Sequence, residues 1–590
     1  MQVIKISSDT LLNDIEHHFR VSAGPGAGKT HWLVEHIKNV LHNSDRLAKT
    51  RKIACITYTN IAVETIQNRL GTSAEHVEVS TIHSFLYKHI IKPYASFISD
   101  NYGLNINKMD GHDEPYVSLK NLTTWIESHP NSSKLKHPYS INQLTKLENN
   151  KAALSNWLNS LSYKIDQTGT ISIVCDKSKA FYIDNKNKRK FLNRQCRNLL
   201  SSDFLSYKKL YWQEGKIDHD DVLFFSHQII KKYPFTLEVL RVKFPYFFVD
   251  EFQDSNPIQV DLLKLIGMHE TIIGIIGDKA QSIYGFQGAE PSYFQSFDLP
   301  GIVNYQISNN RRSSNEIISL LNKLRSDIFQ DPVRDFSSSP PTILIGNMNA
   351  ALNQAQISCG EEIVYSLARQ NVISNAMKIA MKNMDLNGKL FDELKHADSN
   401  KIRCNLIICC IKSIEYAREN KFKDSIKELE RFFKYGNDKE KTKQISLNHI
   451  ITLLENYDNL KNGSLLELSE LIKTHIKKDL SRVTSGAVKI FYESHTYQQL
   501  ALCVNVPDDL SYHKTIHKSK GSEFNNVLLV LKDESDLSFI LNPNVDGNEE
   551  HRINYVAVSR ARNKLFITVP RLTQANRRRL QEKSFQIVEI

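Results

Sequence analysis

Residues 23–30 read A-G-P-G-A-G-K-T, and no other stretch of the 590-residue chain restricts its fold as tightly. Phe19–Ser22 precedes it as a short strand candidate. His31–Leu41 follows, with Leu33, Ile37, Val40 and Leu41 along one helical face. A glycine-rich turn between a strand and a helix lets backbone N–H groups close around a phosphate, and the helix N-terminus adds partial positive charge. Ala23, Gly24, Gly26, Ala27 and Gly28 are the expected cradle, although the strict pattern has Gly where Ala23 stands. Lys29 is expected to meet the β and γ phosphates of ATP, and the Thr30 hydroxyl to hold Mg²⁺.

The same alternation of strand and helix continues. Ile53–Thr57 and Ile61–Leu70 read as a strand and a helix, and the apolar runs Tyr246–Val249 and Thr271–Ile276 lead up to an Asp. From the first of these runs the chain reads V-D-E-F-Q-D-S over 249–255. Adjacent carboxylates at a strand end suit metal and water chemistry: Asp250 for the Mg²⁺ shell, Glu251 to orient and deprotonate the attacking water. After the second run comes G-D-K-A-Q-S-I-Y-G-F-Q-G-A over 277–289. Gln281 is suited to sensing the γ-phosphate by hydrogen bonding, and Tyr284 and Phe286 either stack bases or pack in the core.

Beyond residue 300, Val303–Ile307, Ile363–Ala368, Val527–Leu531 and Leu565–Val569 suggest a second block of strands. The fold class expected is therefore α/β, with two parallel-sheet domains, each carrying a mainly helical insertion. The first is expected over 1–94 and 216–300 with its insertion at 95–215. The second is expected over 301–375 and 511–590, with an insertion at 376–510 that includes the helical stretches Phe422–Tyr435 and Leu465–Leu480.

A net charge of +11 fits either a polyanion partner or a solvated surface. The clearest local excess is 177–209, with Lys177, Lys179, Lys186, Lys188, Arg189, Lys190, Arg194, Arg197, Lys208 and Lys209 among Phe181, Tyr182, Phe191 and Tyr207. That pattern suits nucleic-acid phosphates and a solvated helical face equally well. No apolar run approaches the ~18 residues of a membrane span, and the start lacks a signal-peptide pattern. Eight scattered cysteines without a C-x-x-C pair indicate neither zinc nor an iron–sulfur cluster, and a reduced cytoplasmic interior is expected.

Taken in order, the motifs resemble the UvrD/Rep helicases of superfamily 1. They are A-G-P-G-A-G-K-T, T-Y-T-N-I-A-V-E-T-I-Q-N-R-L, T-I-H-S-F, V-D-E-F-Q-D-S, G-D-K-A-Q-S-I-Y-G-F-Q-G-A, N-R-R-S (310–313), T-I-H-K-S-K-G-S-E-F (515–524) and Y-V-A-V-S-R-A-R (555–562). The resemblance implies two RecA-like domains flanking one ATP site and a motor that moves along single-stranded DNA, usually 3′ to 5′. It implies that Arg312 and Arg560 are arginine fingers and that Glu523, with Gly521 beside it, contacts the ribose. Gln253 and Asp254 would link the ATP site to the strand track, and Thr59, Asn60, Thr81, His83, Tyr284 and Phe286 would contact DNA.

Some positions depart from the family. No Gln stands about twenty residues before Lys29, and Arg311 takes the place of a base-stacking Tyr, so weak adenine selectivity is expected. Phe286 replaces a Trp, and Gln287 an Arg. No fused nuclease is expected after Arg562. Two functions stay open: an autonomous 3′–5′ DNA helicase of repair or replication restart, or a DNA-stimulated NTPase sensor working with a separate nuclease. The helicase subunits of Gabija anti-phage systems are of the second kind. RNA remains an alternative track.

Overall fold

The computed structural model describes residues 3–47, 50–112, 118–136, 157–183, 188–379, 386–436, 438–506 and 511–590. They form two units, Met1–Asn309 and Asn310–Ile590.

The first unit is built on seven strands: β1 (Val3–Ile6), β2 (Phe19–Ala23), β3 (Ile53–Thr57), β4 (Val77–Thr81), β9 (Tyr246–Val249), β10 (Ile272–Gly277) and β11 (Val303–Ile307). They lie in the order β1-β11-β2-β10-β9-β3-β4, every neighbouring pair parallel. All residues of β3, β9 and β10 are buried. Continuous apolar runs of this kind are what a sheet covered on both faces requires. The pleat then divides each run: Phe247 and Val249 enter the core on one face, Tyr246 and Phe248 the core on the other. Helix Lys29–Asn43 closes the second face with Trp32, Leu33, His36, Ile37 and Val40.

Val303–Ile307, counted above with the second block, pairs with β1 and β2 in this first sheet. Sequence alternation identifies a strand but not its partner, and here the partner is more than 280 residues away in sequence, as with Asn304 beside Arg20.

Residues 95–215 were expected to be mostly helical. They do hold helices Leu119–Ser128, Arg194–Ser202 and Phe204–Trp212, but also two antiparallel hairpins. One pairs β5 (Leu161–Ile165) with β6 (Ile171–Cys175), the other β7 (Phe181–Ile183) with β8 (Arg189–Phe191). The apolar–polar alternation of L-S-Y-K-I specifies a half-buried strand despite the polar composition around it. A small core around Trp125, Trp157 and Tyr207 holds this insertion together.

The second unit opens with the short pairing of β12 (Asn309–Asn310) and β13 (Asp331–Pro332). Its main sheet contains β14 (Thr342–Ile345), β15 (Val364–Ala368), β16 (His513–Thr515), β17 (Phe524–Val530), β18 (Ala561–Val569) and β19 (Gln586–Glu589). The order is β16-β15-β17-β18-β14-β19, again parallel throughout. Between β15 and β16 the described residues form a helical insertion. Its central helix, Lys401–Arg418, buries Leu406, Ile407, Cys410, Ile411 and Ile414. The expected helices appear as Phe422–Glu430 and Leu465–His475, shorter than the sequence suggested.

Candidate functional site

In the first unit every expected site residue lies at or just after the carboxyl end of a strand, where open parallel sheets bind their ligands. β2 ends at Ala23 and runs into Gly24–Gly28. Gly28 caps the next helix at φ 83°, a left-handed conformation that costs a glycine little. A Cβ there would press on Ser8 as well. Lys29 is the first helical residue, and its Nζ donates to the carbonyls of Ala23 and Gly24 at 3.2 and 3.3 Å. The ammonium therefore sits over the mouth of the loop.

β9, two strands away across β10, ends at Val249. Asp250 follows, 4% exposed, with its backbone N–H on the Ile56 carbonyl. Thr30 Oγ1 donates to its Oδ2 at 3.4 Å. Burial raises the Asp250 carboxyl well above the ordinary carboxylate range, the neighbouring Glu251 raises it further, and Lys29 opposes both. A hydroxyl beside a carboxylate that favours a nearby positive charge is a hard-oxygen donor pair that fits Mg²⁺. Among the described residues there is no cluster of three or more His, Cys, Asp or Glu that could hold a metal, so a cation here would take its remaining ligands from substrate phosphates and water.

Glu251 adopts φ 51°, a left-handed conformation for a side-chain-bearing residue, which costs ~1–3 kcal/mol and is typical of functional sites. Its Oε2 accepts from Gln253 Nε2. Gln253 Oε1 accepts from the Asp278 backbone N–H at 2.9 Å, and Asp278 Oδ2 accepts from Gln281 Nε2 at 2.8 Å. Ser282 Oγ donates to the Gln253 carbonyl at 2.9 Å. Glu251, Gln253, Asp278 and Gln281 thus form one chain of hydrogen bonds from β9 to the loop after β10. Gln253, Asp278 and Gln281 are all buried. A Cβ on Gly277 would collide with Gln253 Oε1, so the close approach needs glycine at that position.

The far end of that loop is aromatic. Tyr284 stacks on Tyr58 at 4.6 Å and 27°, and Phe286 lies 5.8 Å from Tyr284 with 56% of its surface exposed. Tyr58 donates its hydroxyl to Gln287. Burial, then Asp254 and Glu251, push the Tyr284 phenol upward, so it stays neutral. Next to Tyr58, Thr59 caps helix Asn60–Leu70 by accepting from the Ala62 N–H, and Asn60 opens that helix on the surface. At the end of β4, Thr81 accepts from the Ser84 N–H. His83 is half-buried, 5.0 Å from His219 and 6.2 Å from His112. Burial and those two rings push its imidazole down to about 3, so at neutral pH it offers hydrogen bonds rather than charge.

The second unit gathers a different set, at the amino ends of β17 and β18. Arg312 donates through Nη1 to the Ser559 carbonyl at 2.9 Å and through Nη2 to Glu523 Oε1 at 2.6 Å. Arg560, 2% exposed, donates to the carbonyls of Val556 and Ser522 at 3.1 and 3.4 Å and to Ser559 Oγ at 3.0 Å. Burial acts to raise the Glu523 carboxyl, but Arg312, Arg562 and Arg560 outweigh it and hold the group below its usual range. Gly521, at φ 83°, turns the chain into this cluster. Arg311 is exposed beside Arg312.

Tyr58, Asp278 and Thr57 join the site without standing out in the sequence. Tyr58 could have been read from T-Y-T-N, where it stands directly before Thr59. Asp278 precedes Gln281 by three residues, but nothing local shows that it holds the glutamine. Thr57, buried at the end of β3, lines a narrow cleft beside the acidic pair with Tyr58, Ser255 and Gln259. From the basic patch, Lys208 is removed: it is 7% exposed and paired with Asp218 and Asp221. Lys186 and the Tyr182 side chain lie outside the described residues.

Comparison with known proteins returns two family matches. Residues 7–300 match the UvrD/REP helicase N-terminal domain, and residues 433–569 match the viral superfamily 1 RNA helicase core domain. The Gabija protein GajB of Bacillus cereus is 26% identical over 52% of this chain and 46% of its own length. The ATP-dependent DNA helicase srs2 of Schizosaccharomyces pombe is 26% identical over 65% of this chain and 43% of its own. The ATP-dependent DNA helicase PcrA of Staphylococcus aureus is 23% identical over 93% of this chain and 80% of its own. The chain thus spans less than half the length of the first two of these relatives.

Proposed function

The chain belongs to the UvrD/Rep-type superfamily 1 helicases, and from that premise we propose that it is an ATP-driven translocase on single-stranded DNA, acting as a 3′–5′ DNA helicase. The observation that supports this reading is the chain of hydrogen bonds Glu251–Gln253–Asp278–Gln281. It joins the residue suited to activating water to the loop that carries Tyr284 and Phe286. A shift in those aromatics when a base stacks on them is thereby conveyed to the hydrolytic carboxylate.

In this reading Gly24–Gly28 wrap the phosphates, Lys29 leaves the two carbonyls for the β and γ phosphates, and Thr30 and Asp250 hold Mg²⁺. The ion would supply Lewis-acid neutralisation of phosphate charge. Glu251 takes the proton of the attacking water, and Gln281 hydrogen-bonds the γ-phosphate. The guanidinium groups of Arg312 and Arg560 stabilise charge spreading over the transferring phosphate. Glu523 holds Arg312 and contacts the ribose, with Gly521 beside it and exposed Arg311 against the base. Thr59, Asn60, Thr81, His83, Tyr284 and Phe286 carry the strand.

Glu251→Gln removes the base and keeps the shape. It is expected to lower kcat for ATP by ~10²–10⁴-fold with nucleotide affinity retained. Steady-state hydrolysis with and without single-stranded DNA, together with nucleotide titration, checks this. An unchanged kcat in the variant removes Glu251 from the chemistry.

A second reading is a DNA-stimulated NTPase sensor that works with a separate nuclease in anti-phage defence. It is supported by the similarity to the Gabija protein GajB and by Gln287, an uncharged residue bonded to Tyr58 beside the strand track. One assay separates the two readings. The purified protein either unwinds a duplex bearing a 3′ single-stranded tail or only hydrolyses ATP when DNA is added.

A further inference from the structure

The polar insertion of the first unit meets the loop that displays Phe286 through Lys179. Lys179, in the turn before β7, donates from Nζ to the Phe286 carbonyl at 3.3 Å and also interacts with Asp220. The β7–β8 hairpin starts from that anchor. Its register sets Phe181 opposite Phe191, Tyr182 opposite Lys190, and Ile183 opposite Arg189. At a strand's ~3.3 Å per residue, Phe191 and Arg189 lie roughly 7 and 13 Å along the hairpin from Lys179. Lys188, Arg189, Lys190 and Phe191 are all exposed. Arg189 lies 4.6 Å over the Phe181 ring, and Phe181 and Phe191 are 6.2 Å apart, edge to face.

A row of cations with an arginine-backed aromatic pair, moored to the loop that displays Phe286, has the composition of a single-strand binding platform. Its cations suit phosphates and its exposed ring suits an unstacked base. Paired bases hide their faces, so the exposed Phe191 and Phe286 favour a single strand over a duplex. Resting on the translocase reading, we propose that the β7–β8 hairpin prolongs the strand track past Phe286, taking the sugar–phosphate backbone and one base of the single strand. Lys179 would position the hairpin.

The test is binding of dT oligonucleotides of two lengths to the full chain. One, of about 3 nucleotides at ~3.4 Å or more each, covers little beyond the Tyr284–Phe286 site, and one of about 20 reaches the hairpin. The triple variant Lys188→Ala, Arg189→Ala, Lys190→Ala is expected to weaken the longer oligonucleotide about tenfold or more near physiological salt. Its slope of log affinity against log salt should fall by ~2, since each single-strand phosphate contact contributes ~0.7. Affinity for the shorter one, and ATP hydrolysis without DNA, should stay within about twofold of wild type. Phe191→Ala should cost the longer oligonucleotide about fivefold or more with the salt slope unchanged, as loss of stacking does. The proposal is overturned if the triple variant binds the long strand with wild-type affinity and slope. Equal loss for both lengths, or a loss confined to blunt duplex, also overturns it. DNA stimulation of wild-type ATP hydrolysis is read separately with the short oligonucleotide, so failure of the hairpin and failure of the translocase reading give different results.

Discussion

Asp250 holds two opposed tendencies in one side chain. Burial, then Glu251, favours the neutral acid, while Lys29 favours the carboxylate, and the net shift is upward. In the proposed role Asp250 holds Mg²⁺, and a bound cation requires the carboxylate. Below the raised value the nucleotide-free protein therefore carries a proton that Mg²⁺–nucleotide must expel. Affinity for Mg²⁺–nucleotide should climb as pH rises toward that value and level off above it. Titration calorimetry near neutral pH, in two buffers of different ionisation enthalpy, should show net proton release. Asp250→Asn should abolish the difference between buffers. Identical heats for the wild type in both buffers would mean that Asp250 is already ionised in the free protein.

At the scale of the element, the helix after the phosphate loop carries a cost on its buried face. His36 stacks on Trp32 at 4.9 Å and 5° and meets the edge of Phe19 at 4.9 Å. Burial, with a smaller contribution from His17, pushes its imidazole down to about 3. Since the folded group resists a proton that the unfolded chain accepts near 6.5, its contribution to stability is intact above about pH 6.5. It is lost as pH falls from there toward 3. At pH 5 the loss is ~2 kcal/mol. Urea unfolding of His36→Phe should show a smaller drop in stability between pH 7 and 5 than wild type. Equal drops would place the acid sensitivity elsewhere, with His83 the next candidate.

Local elements of this kind were largely legible in the sequence. β3, β9 and β11 show in the sequence with their observed bounds, because β3 and β9 are unbroken runs of four or five apolar or strand-forming residues and β11 alternates apolar with polar. The hairpins β5–β8 were not, because their alternation is only three to five residues long and sits in Asn- and Lys-rich chain. The candidate site divides in the same way. Glycines, Lys29 and the Asp250–Glu251 pair are contiguous motifs and show in the sequence. The link from Gln253 to Asp278 joins residues 25 apart through a backbone N–H, which no sequence pattern encodes.

Over the whole molecule, the two parallel sheets are not copies in chemistry. The first unit places its residues at the carboxyl ends of strands behind a glycine-rich loop. The second has no G-K-[ST] loop of that kind and gathers Arg312, Arg560 and Glu523 at the amino ends of β17 and β18. A cluster so rich in guanidinium, neutralised only in part by Glu523, suits a triphosphate it does not itself cradle. If that is its role, the second unit should govern the chemical step and not nucleotide capture. Arg560→Ala is expected to lower kcat by ~10³-fold or more, as loss of an arginine finger does, with KM for ATP within about threefold. Arg312→Lys should fare little better than Arg312→Ala, because an ammonium cannot reproduce the paired bonds to Ser559 and Glu523. Single-turnover hydrolysis of prebound ATP should slow by the same factor as kcat, which separates chemistry from product release. An Arg560→Ala protein that turns over at the wild-type rate would remove Arg560 from the chemical step, and with it the proposed part of the second unit in ATP hydrolysis.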